Sequence, residues 1–234
     1  MRRGITAAGV CAGIHILPAA TWLRPVRRLL PMLESPMAAG TTAITFDDGP
    51  HPDGTVAVLD ALERERWQAT FFMLGSAVAR FPDVAREVVS RGHAVGLHGW
   101  SHRYLLARSP LATSGDLQQA AEAVATATGV APVWWRPPYG VMTTAGLFAA
   151  RRHGLRPLLW SAWGKDWRAD ATVDTIVRAV LRGRLDGGTV LLHDSDTAST
   201  PDTWKRTAAA LPLMAEQLAV RGLRVAPLPR RGPR

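Results

Sequence analysis

From Thr42 onward the chain alternates short apolar runs with longer helix-like segments, and this alternation restricts its fold more than any other feature. Alternation of this kind is typical of βαβ units, in which helices join parallel strands and cover the sheet. The predicted strands are 42–46, 69–74, 94–97, 133–136, 156–161, 189–193 and 223–226. The predicted helices are 55–66, 82–91, 115–128, 144–153, 173–181 and 203–219. About seven strands with intervening helices predict an α/β fold, a deformed parallel (β/α) barrel.

Length and composition fit one folded domain with a substantial core. The chain has 234 residues, 47% of them hydrophobic, which is within the usual span of a single α/β barrel. We predict a globular domain at 41–228, an N-terminal apolar and basic segment at 1–40, and a loose basic tail at 229–234.

The net charge is high but does not indicate a nucleic-acid partner. The formal charge is +9 and the pI is about 11.2. Lys165 and Lys205 are the only lysines, and the arginines are scattered along the chain rather than interleaved with stacking aromatic residues. Such arginine usage is typical of a GC-rich genome, so we predict that the chain binds no nucleic acid.

The N-terminal segment has the order of a signal peptide or an uncleaved anchor. Arg2 and Arg3 precede a mostly apolar run at 4–20. The basic stretch that follows at 22–33 is suited to an anionic membrane surface, and a helix packed on the domain is the alternative. The lone Cys11 excludes an intrachain disulfide and a cysteine metal site. The segment is therefore a candidate for membrane-surface association.

Two adjacent carboxylates mark the end of the first predicted strand. Asp47 and Asp48 follow the apolar run 43–46 and precede the turn at Gly49-Pro50, so both should project from the carboxyl end of that strand. In α/β proteins, sites are built at that edge of the sheet. Carboxylates this close repel each other unless a cation lies beside them, which predicts a metal or an arginine partner. A turn capped by two solvated aspartates is the alternative.

Side chains that suit a metal follow the third predicted strand. His98 and His102 are four residues apart and can share one face of a helical turn. With Asp47 or Asp48 they make a set of two imidazoles and one carboxylate, which holds a divalent metal and leaves positions open for water. Capped surface histidines are the alternative. Arg136, after the fourth strand, is placed to pair with an acidic neighbour.

The next two predicted strands also end in ionisable residues. Asp166 lies in the run 163–167, and His193 ends the apolar strand 189–193. A buried histidine at a strand end is commonly a packed, hydrogen-bonded one, but His193 faces a candidate metal site, which favours acid/base work. The indole rings in or beside these motifs suit sugar rings, and several of them also belong to the core.

Taken together, the motifs resemble the polysaccharide deacetylases of the nodulation-protein type. The resemblance covers Thr42 to about Leu228. It rests on TFDDGPH at 45–51, HGWSH at 98–102, RPPYG at 136–140, the pair Asp166-Trp167, and LLHD at 191–194. The chain departs from the family pattern at Gly99, where Ser or Thr is usual, and at Trp163, where the fuller fourth motif has a further aspartate.

The resemblance implies a metal and a role for each matching residue. Asp48, His98 and His102 would bind a divalent metal, most simply zinc, with cobalt or nickel as alternatives. Asp47 would be the catalytic base, positioned by Arg136. The backbone N–H of Tyr139 would help form the oxyanion hole. His193 would be the general acid, and Asp166 would tune it. Trp167 and Leu191 would line the pocket for the acetyl methyl group. Trp100 is a further candidate for binding substrate.

The implied activity is metal-assisted hydrolysis of N-acetyl groups on an amino-sugar polymer or oligosaccharide, whether chitin-like, peptidoglycan or another envelope glycan. A deformylase or deacetylase of a lipid-linked sugar at the membrane is the alternative to which the segment at 1–40 points. A carbohydrate-binding module on a degenerate barrel is the non-enzyme alternative, which the complete set of acid, base and metal ligands disfavours. A location at the cell envelope or membrane is favoured over the cytoplasm, and no oligomeric state is predicted.

Overall fold

Eight parallel strands form a sheet in the part of the protein that the structure describes. The computed structural model describes residues 16–230 except 22, 24, 25 and 28. The strands are β1 (Thr41–Asp47), β2 (Thr70–Met73), β3 (Ala94–Leu97), β4 (Trp134–Trp135), β5 (Arg156–Pro157), β6 (Ala162–Trp163), β7 (Gly188–His193) and β8 (Arg224–Val225).

Seven of the strands form one curved path in the order β5-β4-β3-β2-β1-β7-β6. The central strand is β1, which pairs with β7 from Thr42 to Asp47 and with β2 from Thr45 to Asp47. The short β8 pairs with Thr41 and Thr42, at the opposite end of β1. The predicted deformed parallel barrel of about seven strands is confirmed.

Helices connect the strands and cover the outside of the sheet. They are α1 (Gly54–Arg64), α2 (Gly75–Arg80), α3 (Pro82–Ser90), α4 (Pro110–Thr128), α5 (Thr144–Arg152), α6 (Val173–Leu181) and α7 (Thr203–Val220). Each βα connection brings the carboxyl end of its strand to the same edge of the barrel, which is the edge where barrel sites are built.

Alternation along β1 explains how the first candidate residue reaches the mouth of the barrel. Ile44 and Phe46 point outward into the large apolar cluster under the helices, whereas Ala43 joins the smaller inner cluster around Phe72. Because side chains in a strand alternate between faces, Asp47 lies on the same inner face as Ala43. The strand is buried along its whole length, so Asp47 ends a fully desolvated run.

The structure corrects the predicted strand at 156–161. Arg156 and Pro157 pair with β4, whereas Ala162 and Trp163 pair with β7 at the other end of the path. The residues between them cross the gap that separates the two edges, and Leu159 N donates to Leu33 O at 3.1 Å. One continuous strand is therefore two short ones, divided where the barrel is left open.

One helix and one helix boundary also differ from the sequence-based expectation. Residues 75–80 form α2, for which no helix was predicted, and α4 begins at Pro110 rather than at Gly115. Ser109 caps α4, since its hydroxyl accepts a hydrogen bond from Ala112 N at 3.2 Å. Serine followed by proline is a usual helix start, so this boundary was readable from the sequence.

The described part of the N-terminal segment packs against the domain. Leu33 is fully buried, and Arg27 donates to Trp160 O at 2.7 Å and to Glu34 at 2.8 Å. The apolar run before residue 16, Cys11 and the last residues of the tail, 231–234, lie outside the described residues. Among the helices that are described, none has the length and hydropathy needed to cross a bilayer.

Candidate active site

One cleft at the carboxyl edge of the barrel is lined by most of the predicted site residues. Its volume is about 220 Å³. Its lining comprises Asp47, Asp48, His98, His102, Tyr139, Gly140, Trp160, Trp163, Trp167, Leu191, His193 and Ala198. Asp47, His98 and His193 lie at or next to the carboxyl ends of β1, β3 and β7, whereas Asp48 and His102 lie in the segments that follow β1 and β3.

The first aspartate forms a buried ion pair with the predicted arginine. Asp47 Oδ1 accepts a hydrogen bond from Arg136 Nη1 at 2.6 Å, and both side chains are almost completely buried. The same Nη1 also donates to Thr45 Oγ1 at 2.8 Å. A charge-assisted bond of this length fixes the carboxylate and leaves its second oxygen, Oδ2, facing the cleft.

The guanidinium of Arg136 is held between the ion pair and aromatic faces. Its carbon lies 4.1 Å from the ring centre of Phe72 and 5.8 Å from that of Trp160. Burial lowers the pKa of Arg136, whereas the charge and the hydrogen bond of Asp47 oppose this effect. Removing either partner would leave the other as an unpaired charge in the core, so the two residues act as one unit.

The second aspartate faces both histidines of the third motif. Asp48 Oδ1 lies 3.4 Å from His98 Nε2 and 3.5 Å from His102 Nε2. One ligand atom from each of these residues lies within 4.8 Å of the others. Asp48 has a φ of 79°, a left-handed conformation that is uncommon outside glycine and turns its carboxylate toward the histidines.

Neighbouring groups prepare the two imidazoles to bind a metal. The Nδ1 atom of His98 is bound to Arg136 O at 2.8 Å, so its Nε2 atom is directed at Asp48. Burial is the main cause that lowers the pKa of His102 to about 4, against the opposing charge of Asp48. His102 is therefore neutral at pH 7 and able to offer a lone pair, as a metal ligand must.

A residue that the sequence reasoning missed holds the loop that carries the histidines. Asp116 on α4 accepts a hydrogen bond from Trp100 N at 2.9 Å and pairs with Arg108 at 3.0 Å. Burial is the main cause that raises the pKa of Asp116. An acidic residue in the first turn of the predicted helix 115–128 is the sequence signal that could have suggested this role.

A histidine–aspartate pair lies across the cleft from the metal-type triad. His193 Nδ1 is 2.9 Å from Asp166 Oδ1, and Asp166 Oδ2 accepts from His193 N at 2.7 Å and from Thr207 Oγ1 at 2.8 Å. Burial lowers the pKa of His193, but the charge and hydrogen bond of Asp166, aided by Asp48 and Asp47, outweigh it and raise the pKa to about 10. His193 is therefore protonated at pH 7.

Indole rings form one wall of the cleft. Trp163 lies between Trp160 and Trp167, with ring centres 6.0 and 5.3 Å apart, and Trp167 meets His193 edge-on at 5.4 Å. Leu191 lines the same cleft. Trp167 and Leu191, both implied to hold an acetyl methyl group, are thus beside the histidine–aspartate pair.

Trp100, the remaining candidate for substrate binding, lies elsewhere. It is not among the residues that line the cleft, and its ring packs over Gly75 and the apolar cluster beneath α2 and α4. Its backbone N–H, not its ring, is what serves the site, through Asp116. The indole packs beside the cleft and not in its lining, and its contact with substrate stays a prediction.

Tyr139 sits at the rim of the cleft on the side of the metal-type triad. It has a φ of 59°, its ring lies 4.2 Å from that of His102, and about half of it is exposed. The ring stacks on Tyr104 at 3.8 Å with an interplanar angle of 4°. A left-handed residue after two prolines turns the backbone sharply, which places the peptide groups of this turn at the cleft.

Asp194, next to the predicted acid, supports the turn that follows Asp48. Its Oδ2 accepts a hydrogen bond from Thr55 Oγ1 at 2.5 Å, and its carboxylate packs directly against Gly49. Burial is the main cause that raises the pKa of Asp194 to about 7, with the charges of Asp48 and Asp47 acting in the same direction. The sequence reasoning assigned no role to this residue.

The fold and the site define a class of protein, a deformed parallel barrel with an Asp-His-His triad between an Asp–Arg pair and a His–Asp pair. The family model for polysaccharide deacetylase matches residues 34–158. The chain belongs to the polysaccharide deacetylase family, as the resemblance in its motifs implied.

Several proteins of this kind are similar over most of the chain. A chitooligosaccharide deacetylase of Bradyrhizobium sp. (strain ANU 289) is 37% identical over 200 residues, which cover 82% of this chain and 91% of the relative. The peptidoglycan-N-acetylglucosamine deacetylase PgdA of Listeria monocytogenes serotype 1/2a is 37% identical over 163 residues, which cover 69% of this chain. The matched region is 34% of that relative, so the chain spans about a third of its length.

A solved structure agrees with the fold. The Bc1960 peptidoglycan N-acetylglucosamine deacetylase, in complex with 4-naphthalen-1-yl-N-oxidanyl-benzamide, superposes with a TM-score of 0.77 at 29% identity. The superposition covers 84% of this chain and 90% of that one.

Proposed function

We propose that the protein is a metal-dependent hydrolase that removes N-acetyl groups from an amino-sugar polymer or oligosaccharide of the cell envelope. The observation that carries the proposal is the meeting, in one cleft, of the Asp48-His98-His102 triad with the Asp47–Arg136 and His193–Asp166 pairs. The names of the relatives, deacetylases of chitooligosaccharides and of peptidoglycan N-acetylglucosamine, support the same activity.

The residues present fit a divalent metal. The Oδ1 atom of Asp48 is buried without a hydrogen-bond partner among the described residues, although two imidazole nitrogens face it. Two imidazoles and one carboxylate suit zinc, with cobalt and nickel as alternatives. A bound ion of this kind lowers the pKa of a water and polarises an acyl carbonyl. Asp48, His98 and His102 are the residues that would hold it.

Asp47 is suited to take a proton from the attacking water. Its Oδ1 is engaged by Arg136, so Oδ2 is the atom that would accept the proton, 3.7 Å from His98 Nε2. The buried guanidinium balances the charge of the Asp47 carboxylate before substrate binds, and it fixes the orientation of that carboxylate. General base catalysis by a positioned carboxylate contributes about 100-fold or more to rate.

His193 is suited to give a proton to the leaving amine. Its Nδ1 is bound to Asp166, which leaves Nε2 as the atom that faces the cleft. Because an amine leaves poorly as an anion, this proton transfer is needed for the C–N bond to break. The N–H of Tyr139 would stabilise the oxyanion, and Trp167 and Leu191 would contact the acetyl methyl group.

Acetate release tests the proposal. We expect zinc-, cobalt- or nickel-loaded protein to release acetate from N-acetylated chitooligosaccharides or peptidoglycan fragments, and chelated protein to release none. Formate release from N-formyl and polyprenyl-linked sugars, measured in parallel, tests the lipid-linked alternative. A metal-loaded protein that binds these glycans but releases neither acid would contradict the proposal and favour a binding module.

A further inference from the structure

A second hollow adjoins the cleft on the side of His102. It has a volume of about 580 Å³. Its lining comprises His102, Arg103, Tyr104, Ala107, Arg108, Ser109 and Ala112, a set that we call the basic pocket. Because His102 lines both cavities, the basic pocket is adjacent to the groups that would carry out the reaction.

A stacked pair of tyrosine rings connects the two cavities. Tyr139 at the rim of the cleft stacks on Tyr104 in the basic pocket, and these rings are 47% and 51% exposed. The exposed part of a tyrosine ring suits the apolar face of a sugar ring, since it offers a large contact area at low entropy cost. A glycan chain whose one sugar occupies the cleft therefore has a surface for its neighbour.

The pocket carries positive charge that the protein does not fully neutralise. Among the described residues Arg103 makes no ion pair, although its charge acts on Asp116 and opposes the rise in the pKa of that carboxyl, and the lining of the pocket contains no acidic side chain. Arg108 is bound to Asp116 and to Ala112 O, and its buried Nε has no hydrogen-bond partner in the part of the chain that the structure describes. The Asp116 carboxyl that balances Arg108 is itself shared with Trp100 N.

The loop that forms the pocket is anchored at several points. Leu105 is buried between the exposed Tyr104 and Leu106, and Asp116 ties the loop to α4 through Arg108 and Trp100 N. A cation presented on an anchored loop loses little entropy when it binds an anion, so its position selects among substrates.

We propose that the basic pocket binds a carboxylate on the sugar next to the one that is deacetylated, so that the enzyme prefers acidic amino-sugar glycans to neutral ones. This inference rests on the proposed function and specifies its substrate class. Arg103 is the residue that would contact the carboxylate, and Tyr104 would stack on the sugar that bears it.

Two matched glycans test the inference. One is a peptidoglycan tetramer in which alternate sugars carry a lactyl carboxylate, and the other is the same tetramer with these carboxylates reduced to alcohols. We expect kcat/KM for acetate release by metal-loaded protein to be higher on the acidic tetramer. Arg103→Gln should lower it there by about two- to five-fold, as for an exposed ion pair, and Arg103→Glu by about ten-fold or more.

The control separates local recognition from net charge. Arg178→Gln removes an equal charge from an exposed arginine on α6, outside both cavities, and should leave both rates unchanged. The Arg103 variants should lower the rate on the acidic tetramer by a larger factor than the rate on the reduced tetramer. Equal losses on both tetramers, or equal effects of Arg103→Gln and Arg178→Gln, would overturn the inference.

A binding measurement keeps this inference distinct from the proposed function. If metal-loaded wild-type protein released no acetate from either tetramer, the proposed function would fail. Calorimetric titration of both tetramers into wild type and Arg103→Glu would then test carboxylate binding by the basic pocket without any need for catalysis. Weaker binding of only the acidic tetramer to the variant would support carboxylate recognition, and equal affinities would contradict it.

Discussion

Asp47 and Asp48 are neighbours in the chain, yet their surroundings suit them to different tasks. Asp47 is tied to a buried arginine at 2.6 Å, whereas Asp48 faces two imidazole nitrogens at 3.4 and 3.5 Å. The backbone separates them, because Asp47 ends the strand and Asp48 adopts a left-handed turn conformation. These surroundings support the proposal that Asp47 accepts a proton and Asp48 binds a cation.

The charge of Asp166 should set the alkaline limit of activity. Asp166 raises the pKa of His193, which must be protonated to act as an acid. In Asp166→Asn we expect the alkaline limb of the kcat/KM profile of metal-loaded enzyme to move about 1 to 3 pH units lower, so that activity at pH 7 falls.

A milder change supplies the control for this pH profile. Thr207→Val removes only one hydrogen bond to Asp166 Oδ2 and keeps its charge, so a shift smaller than that of Asp166→Asn is expected. An unchanged alkaline limb in Asp166→Asn would exclude His193 as the acid that this aspartate controls.

Asp194 should make the metal-free protein less stable as pH rises. Burial raises the pKa of its carboxyl from 3.8 to about 7 in the folded state, so the unfolded chain loses the proton first. The stability that this proton contributes is complete below about pH 4 and is lost as pH rises through about 7, at no more than about 1.4 kcal/mol per pH unit.

Urea unfolding of chelated protein across this pH range checks the sign. Asp194→Asn keeps an acceptor for Thr55 but cannot ionise, so its unfolding free energy should fall less between about pH 4 and pH 7 than that of wild type. Parallel curves for the two proteins would show that Asp194 does not titrate in this window.

At the scale of the elements, the close approach of α2 and α4 depends on Gly75. A Cβ at this position would lie 2.7 Å from Trp100 Cε3 and 2.8 Å from Ala120 Cα. Backbone and a large ring cannot both move aside, so Gly75→Ala should lower the free energy of unfolding by about 1 to 3 kcal/mol.

Gly115 on α4 gives the matched control. A Cβ there meets nothing within 4 Å. Gly115→Ala should raise the unfolding free energy by about 0.4 to 1 kcal/mol, because alanine lowers the conformational entropy of the unfolded chain. Urea unfolding of both variants measures the difference. Equal stability of the two would contradict the packing described for α2.

Strand ends were the part of the structure that sequence best predicted. Apolar runs that stop at a turn, as at Asp48 and His193, show where a strand leaves the core, and parallel connections then bring these ends to one edge. The residues of this edge could therefore be predicted to lie together. Their pairing could not, because which oxygen of Asp47 meets Arg136 depends on distances between strands that are far apart in sequence.

The short edge strands and the packing contacts could not be predicted from the pattern of apolar residues in the sequence. Strands β5 and β6 have two residues each, too few for a period, and their separation depends on where the barrel opens. Trp100 has a side chain of the type that binds sugars, but its partly buried ring packs over Gly75 against the apolar cluster. Asp116 was missed because its partners, Trp100 N and Arg108, become neighbours only after folding.

At the scale of the whole molecule, the charge of +9 should give only weak binding to nucleic acid. Several arginines form ion pairs with nearby acids, such as Arg27 with Glu34 and Arg91 with Asp60. We expect DNA binding to be sequence-independent and lost by about 0.2 M salt. Fluorescence anisotropy with labelled DNA over a salt series measures this binding. Tight binding at physiological salt would contradict the prediction that nucleic acid is not a partner.

The central claim is that adjacent aspartates divide metal binding and proton transfer between them. Asp47→Asn and Asp48→Ala test it directly, with bound metal measured by elemental analysis and acetate release measured over a metal titration. Asp47→Asn should keep its metal and lose about 100-fold or more in rate, because an amide cannot accept the proton. Asp48→Ala should lose metal affinity and regain part of its activity at high metal concentration. A metal-free Asp47→Asn beside a metal-loaded but inactive Asp48→Ala would contradict the account.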